Sequence, residues 1–249
     1  MDHKINYKDL SFDDFKELAK NPKLSKNEKI GFPDSYRHNK HENIFIDIQK
    51  KLSGLNKKNQ TILDIGSGCG FLAEEIINHC IKNMNTLILI DSEEMLSHLP
   101  NIKCIKKFSG KFPYIENNFF RLYERKCNVL IVYSVIQYPF DEGNALDFLN
   151  KCLDLLAPNG EMLIGDIPNI SMRNRFFKSE NGKIYHVEYK DKNSSDHPPI
   201  EKEDGKINDN FILMLLDHFR SRGYHAWVLP QSSDLPMSNR REDVLIRKP

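Results

Sequence analysis

Three glycines at alternate positions, Gly66, Gly68 and Gly70, follow the apolar run Thr61-Ile62-Leu63-Asp64-Ile65 and lead into the helical pattern Leu72-Ala73-Glu74-Glu75-Ile76-Ile77. The chemistry open to such a turn is close recognition of a ligand. Glycine has no Cβ, so the chain can take positive φ and bring its backbone against a bound group, while the helix behind presents unpaired amide hydrogens. An adenosine-bearing cofactor suits that surface. The dinucleotide fingerprint would require a glycine at 71, but Phe71 stands there and the third glycine comes one position early, which argues against a pyrophosphate cradle. A second polar group belongs to the same reading. Asp91 closes the next apolar run, Thr86–Ile90, and a carboxylate at the carboxyl end of that strand is placed to accept hydrogen bonds from ribose hydroxyls.

The elements that must position these residues follow from periodicity. Ile44, Phe45, Ile48 and Leu52 are spaced for one helical face over 42–52. From residue 60 the pattern alternates: strand 60–65, helix 70–82, strand 86–90, helix 93–98, strand 102–106, an amphipathic stretch to about 126, strand 128–133, helix 141–156 and strand 161–166. Such alternation predicts an α/β fold, a mostly parallel sheet with helices on both faces. Ala157-Pro158-Asn159-Gly160 reads as a turn before the fifth strand. Helix 209–222, stopped by Gly223, and strands 224–229 and 243–247 complete the pattern. Residues 1–42, with Pro22, Pro33 and an amphipathic piece from Phe12 to Leu18, read as an N-terminal arm or lid before a main domain over 43–249. The stretch 167–207 is too long for an ordinary connection and reads as a lid or a disordered insert.

Asp64, the three glycines and Asp91 resemble the cofactor site of class I S-adenosylmethionine-dependent methyltransferases, whose E/D-x-G-x-G-x-G pattern is matched without a gap. The turn at 157–160 is similar to the family's turn at that place. The resemblance covers about residues 42–166, and the final hairpin less closely. It implies a Rossmann-like sheet of seven strands with the last antiparallel, and S-adenosyl-L-methionine as cofactor. Asp64 and the glycine turn would hold the methionine end, Asp91 the ribose, and Ser92 and Met95 would flank the adenine. Many members carry an acidic residue after the third strand to read the adenine amine; here Phe108-Ser109-Gly110-Lys111-Phe112-Pro113 has none, leaving Gly110, other backbone groups and Phe112. Tyr133 and Ser134, ending the fourth strand, would touch the cofactor. The overall look is similar to bacterial methyltransferases of surface-polysaccharide pathways, which implies O-methylation of a small polar acceptor such as a sugar or phosphate-linked precursor.

Methyl transfer from a sulfonium is an in-line displacement, so alignment and desolvation supply much of the rate, and a base helps where the acceptor is a hydroxyl. Asp166, at the end of the fifth strand, is the first choice for that base, and it reads equally as a helix cap or the partner of a lysine. His186 is the second choice, because neutral imidazole can take a proton near neutral pH. Gln137 joins the catalytic candidates, and Tyr138 faces the acceptor or packs under the lid. Arg173 and Arg175 suit a phosphate-bearing acceptor or form a solvated helix face. Tyr36-Arg37-His38 and His41-Glu42 stand where they could close over the methionine end. No metal is expected, because His38 and His41 lack a third ligand at zinc spacing.

The balance of 36 Lys+Arg against 35 Asp+Glu predicts no nucleic-acid or membrane partner. Five scattered cysteines, the lack of a signal-peptide core and the lack of a long apolar run predict a cytoplasmic protein. Self-association is left open. Two other functions share the nucleoside site. A short-chain dehydrogenase would need a Tyr-x-x-x-Lys pair that is not found in place. A cofactor-binding subunit without catalysis, or an N-methyltransferase, would keep the same turn.

Overall fold

The computed structural model describes Tyr7 and residues 10–33, 40–189 and 200–249. Tyr36-Arg37-His38 and the stretch 190–199 of the expected insert lie outside the described residues. The arm contributes α1 (Phe12–Lys20) and α2 (Lys26–Lys29), each opened by a serine whose hydroxyl accepts the N3 amide while the N3 carboxylate answers the cap N–H: Ser11 with Asp14, Ser25 with Glu28. Then follow α3 (His41–Lys51), β1 (Thr61–Ile65), α4 (Phe71–Lys82), β2 (Thr86–Asp91), α5 (Glu93–Ser97), β3 (Ile105–Ser109), α6 (Asn117–Tyr123), β4 (Cys127–Tyr133), α7 (Gln137–Asp141), α8 (Ala145–Leu155), β5 (Leu156–Pro168), α9 (Ile170–Lys178), α10 (Glu180–Tyr189), α11 (Asp209–Ser221), β6 (His225–Pro230) and β7 (Arg241–Arg247).

The strands form one sheet in the order β3-β2-β1-β4-β5-β7-β6, with β7 antiparallel to both neighbours and the other pairs parallel. Side chains alternate across a strand, and both faces here are covered, so the inner strands are apolar throughout. Leu63, Ile88, Leu130, Val132, Ile164 and Val244 face one layer, where Phe119, Phe148, Leu149, Leu215 and Phe219 of α6, α8 and α11 meet them. Ile62, Leu87, Leu89, Ile131, Leu163 and Leu245 face the other, against Ile44, Ile48, Ile76 and Ile77 of α3 and α4. Gaps between the strand ends and their helices open on one edge of this double layer, and the order reverses between β1 and β4.

The elements differ from their expected bounds at three places. β3 begins at Ile105, not at 102, because it is an edge strand with little apolar content; Ile102 is exposed and Lys107 Nζ ties the preceding loop to the Leu99 carbonyl at 2.6 Å. The helix expected over 141–156 starts only at Ala145, because Gly143 at φ +73° separates it from the short α7 that precedes it. The turn at 157–160 lies inside β5 as an irregularity: Cys127 pairs with Leu156 and Val129 with Glu161, with Asn159 at φ +57° between them. Of the insert, the described part is helical over α9 and α10, with Asn169 capping α9 through two side-chain hydrogen bonds.

Candidate cofactor and acceptor site

The glycine turn is built by a carboxylate. Asp91 accepts the Gly68 amide on Oδ2 and the Ser92 amide on Oδ1, both at 2.7 Å, so the end of β2 holds the loop after β1 open. Gly66 and Gly68 take φ +71° and +62°, where a Cβ would be strained, and a Cβ on Gly66 would stand 2.5 Å from Val135 Cγ2. Gly70 is different: its φ of −84° is ordinary, and it serves as the N-cap of α4.

Two acids flank this turn. Asp64 is 4% exposed and makes no hydrogen bond with any described residue; burial, reinforced by the charge of Asp91, pushes its carboxyl up to about 7. Asp91 is pushed up to about 6 by burial, against the opposing pull of its two amide donors. Carboxylates held this way gain by meeting a positive group or a hydrogen-bond donor, whereas a pyrophosphate would meet like charge.

Both acids line a cavity of about 830 Å³, within the range of a nucleoside-sized ligand with a small co-ligand. Its rim is shared by the turn, the ends of β2, β3 and β4, and the arm. The arm sits directly on the glycines: Ile30 Cγ2 would lie 2.8 Å from a Cβ on Gly68. His98 holds α1 there through the Ala19 carbonyl at 2.9 Å, and Phe15 meets Tyr138 edge to face at 5.4 Å. Gln137 donates to the Ser134 carbonyl at 2.8 Å, and its buried Oε1 has no partner among the described residues.

Behind this wall lies a buried polar chain. Ser134, just after β4, and Asp166, at an irregularity near the end of β5, take φ +59° each, and the Ser134 hydroxyl donates to Asp166 Oδ2. The Asp166 amide donates to Asp243 at 2.8 Å, Gln231 bridges Asp243 and Asp166 at 3.1 and 3.4 Å, and Lys51 reaches Asp243 at 2.7 Å and also Asp47. Arg241 Nη1 donates to the Asp166 carbonyl at 2.8 Å and lies 3.3 Å from Oδ2.

Most residues singled out in the sequence converge here. Asp64, Gly66, Gly68, Gly70, Asp91, Met95, Gly110, Phe112, Tyr133, Ser134, Gln137 and Tyr138 all line the large cavity. Ser92 does not; it is 2% exposed and its hydroxyl caps α5 at the Met95 amide. Asp166 also stands outside that lining, held in the polar chain and bordering a smaller chamber. His186 is buried in α10 beside Phe177, away from the cavity, with Nε2 unpaired among the described residues. Arg173 pairs with Glu201 within the insert at 3.0 Å, Arg175 ties the insert to Asp209 at the start of α11, and neither arginine lines the cavity. Among the lining residues that sequence reading missed are Leu10, Phe32, Asn144, Phe148, Lys206 and Arg241. Only the arm carried a local signal, its amphipathic helix.

No family profile matches the chain, and no curated protein does. Solved structures do. The plantazolicin methyltransferase BpumL, crystallised with S-adenosylhomocysteine and a triazolic desmethylplantazolicin analogue, superposes with a TM-score of 0.59 at 14% identity over 95% of this chain and 98% of its own. The N-methyltransferase NodS from Bradyrhizobium japonicum, with S-adenosylhomocysteine, gives 0.57 at 12% identity over 96% and 98%. A proposed O-methyltransferase of Nostoc punctiforme gives 0.53 at 12% over 86% of this chain, which spans 57% of that longer protein. The seven-stranded sheet is thus the Rossmann-like fold found in methyltransferases.

Proposed function

We propose that the protein is an S-adenosylmethionine-dependent methyltransferase acting on a small polar acceptor. The observation that carries this is the positive-φ glycine turn set between buried Asp64 and half-buried Asp91 and opening into a cavity large enough for two ligands. Bound there, the cofactor supplies an activated methyl group on a sulfonium. Asp64 would take the ammonium of the methionine end, whose positive charge answers its burial, and Asp91 the ribose hydroxyls. Met95, Gly110 and Phe112 would frame the adenine. Tyr133 and Ser134 would bound the reacting centre, and the arm would exclude water. The presence of S-adenosylhomocysteine in the structural neighbours supports the cofactor.

The acceptor would lie between Gln137, Tyr138 and the arm. Gln137 Oε1, buried and unpaired among the described residues, asks for an O–H or N–H donor, so it would orient the nucleophile while Tyr138 and Phe15 wall it in. We take the acceptor atom to be oxygen. The sugar or phosphate-linked precursor rested on a likeness to surface-polysaccharide methyltransferases, and Arg173 and Arg175, the candidates for a phosphate, are paired with Glu201 and Asp209, so the proposal stops at a small polar acceptor. Asp166 enters as a positioning residue for Ser134, not as the base. The arm over 1–42 and the insert over 167–207 would shape the acceptor side of one domain.

Calorimetry with S-adenosylhomocysteine tests the reading. Wild type binds it, and Gly68→Val removes binding while leaving the circular dichroism spectrum nearly unchanged; retained binding overturns the turn assignment. Loss of affinity in Asp91→Ala together with no turnover on a panel of hydroxyl and amine acceptors would favour a non-catalytic binding subunit.

A further inference from the structure

Arg241 opens β7 and borders both the large cavity and a chamber of about 10 Å³ walled by Phe32, Ile44, Pro236 and Met237. Its side chain is only 16% exposed. Nη1 is engaged with Asp166, but Nε and Nη2 make no hydrogen bond with any described residue. A guanidinium on the cavity wall with one whole edge unpaired among the described residues is placed to be completed by a ligand. That edge offers two parallel N–H donors, the geometry that matches a carboxylate.

The surrounding charges leave room for such a ligand. Asp166 is also served by the Ser134 hydroxyl and by Gln231, so it does not depend on the guanidinium alone. Asp243, packed behind it, is matched by Lys51, which also holds Asp47. The chamber has room for about one water-sized group, such as one oxygen of a carboxylate.

We propose that Arg241 anchors a carboxylate on the acceptor, so that the substrate of the methyltransferase proposed above is a small carboxylic acid. The inference rests on that reading only for the ligand's role as acceptor. The methionine end of the cofactor is a poor source for this carboxylate. Asp64 lies on β1, while the Asp166 carbonyl that receives the guanidinium lies on β5, two strands further on and roughly 10 Å away from backbone to backbone.

Nuclear magnetic resonance titration with benzoate, and with benzamide as its neutral counterpart, tests the proposal on the full chain, with and without S-adenosylhomocysteine. Benzoate is expected to shift resonances of Phe32, Ile44 and Met237, benzamide is not, Arg241→Gln weakens benzoate at least tenfold, and Arg241→Lys falls between. Equal responses to benzoate and benzamide in wild type overturn the proposal, and this comparison stands even where Arg241→Gln does not fold. Tighter binding of inorganic phosphate than of benzoate also overturns it. Calorimetry with S-adenosylhomocysteine separates the two claims. Failure in wild type counts against the cofactor reading while the benzoate arm still reports on Arg241. Loss of that affinity in Arg241→Gln reassigns the guanidinium to the cofactor and overturns the acceptor assignment.

Discussion

Replacing Asp64 by asparagine should stabilise the empty protein while damaging its binding site. Burial raises this carboxyl from 3.8 to about 7, roughly three units. At 1.36 kcal/mol per unit, keeping it ionised above pH 7 costs the folded state up to about 4 kcal/mol. The folded state therefore holds a proton that the unfolded chain has released between about pH 4 and 7, and wild-type stability falls as pH rises through that window. Asparagine keeps the shape without the titration. Thermal unfolding of the ligand-free proteins at pH 5.5 and 8 should show Asp64→Asn gaining several degrees over wild type at pH 8, up to about 16 °C at about 2–4 °C per kcal/mol. The gap should narrow at pH 5.5, with the residual slope belonging to Asp91, whose carboxyl is raised to about 6. Calorimetry should show the reverse order for S-adenosylhomocysteine, with the variant binding weakly. An Asp64→Asn protein less stable than wild type at pH 8, or one with an unchanged pH slope, would refute the argument that this acid is buried without a partner.

Lys51→Met should cost about 3–5 kcal/mol, because it strands Asp243, fully buried, and Asp47 without their cation. Burial already raises the Asp243 carboxyl and Lys51 opposes it, so the loss in urea unfolding should be larger at pH 8 than at pH 5; a loss under about 1 kcal/mol would show the chain to be dispensable. Burial pushes Cys69 up to about 11 and Cys80 and Cys127 up to about 12, with Cys152 raised well above its ordinary value. Ellman's reagent at pH 7.5 should therefore find one fast thiol in the native protein, the half-buried Cys104, and rapid release of a second would contradict the burial of the glycine turn around Cys69.

The strands and the cofactor turn were legible in the sequence because their causes are local. Two covered faces make β1, β2 and β4 continuous apolar runs, and a ligand that must approach the backbone between a strand and a helix demands glycines at fixed spacing, with an acid one βα unit on. Bounds failed where local signals were weak or spread: edge strand β3 has little apolar content to mark its start, and the break at Gly143 looks like an ordinary residue in a helical pattern. The acceptor side was hidden for a different reason. Ile30 lies on Gly68, Phe15 on Tyr138, and Arg241 against Asp166 through contacts between segments far apart in the chain, each formed only once the sheet order brings β7 beside β5 and folds the arm over the turn. Asp166 shows the difference most plainly. Its place at a strand end was readable from periodicity, but whether it faced the cavity or a buried arginine depended on which residues of β7 stood next to it, and no local pattern encodes that.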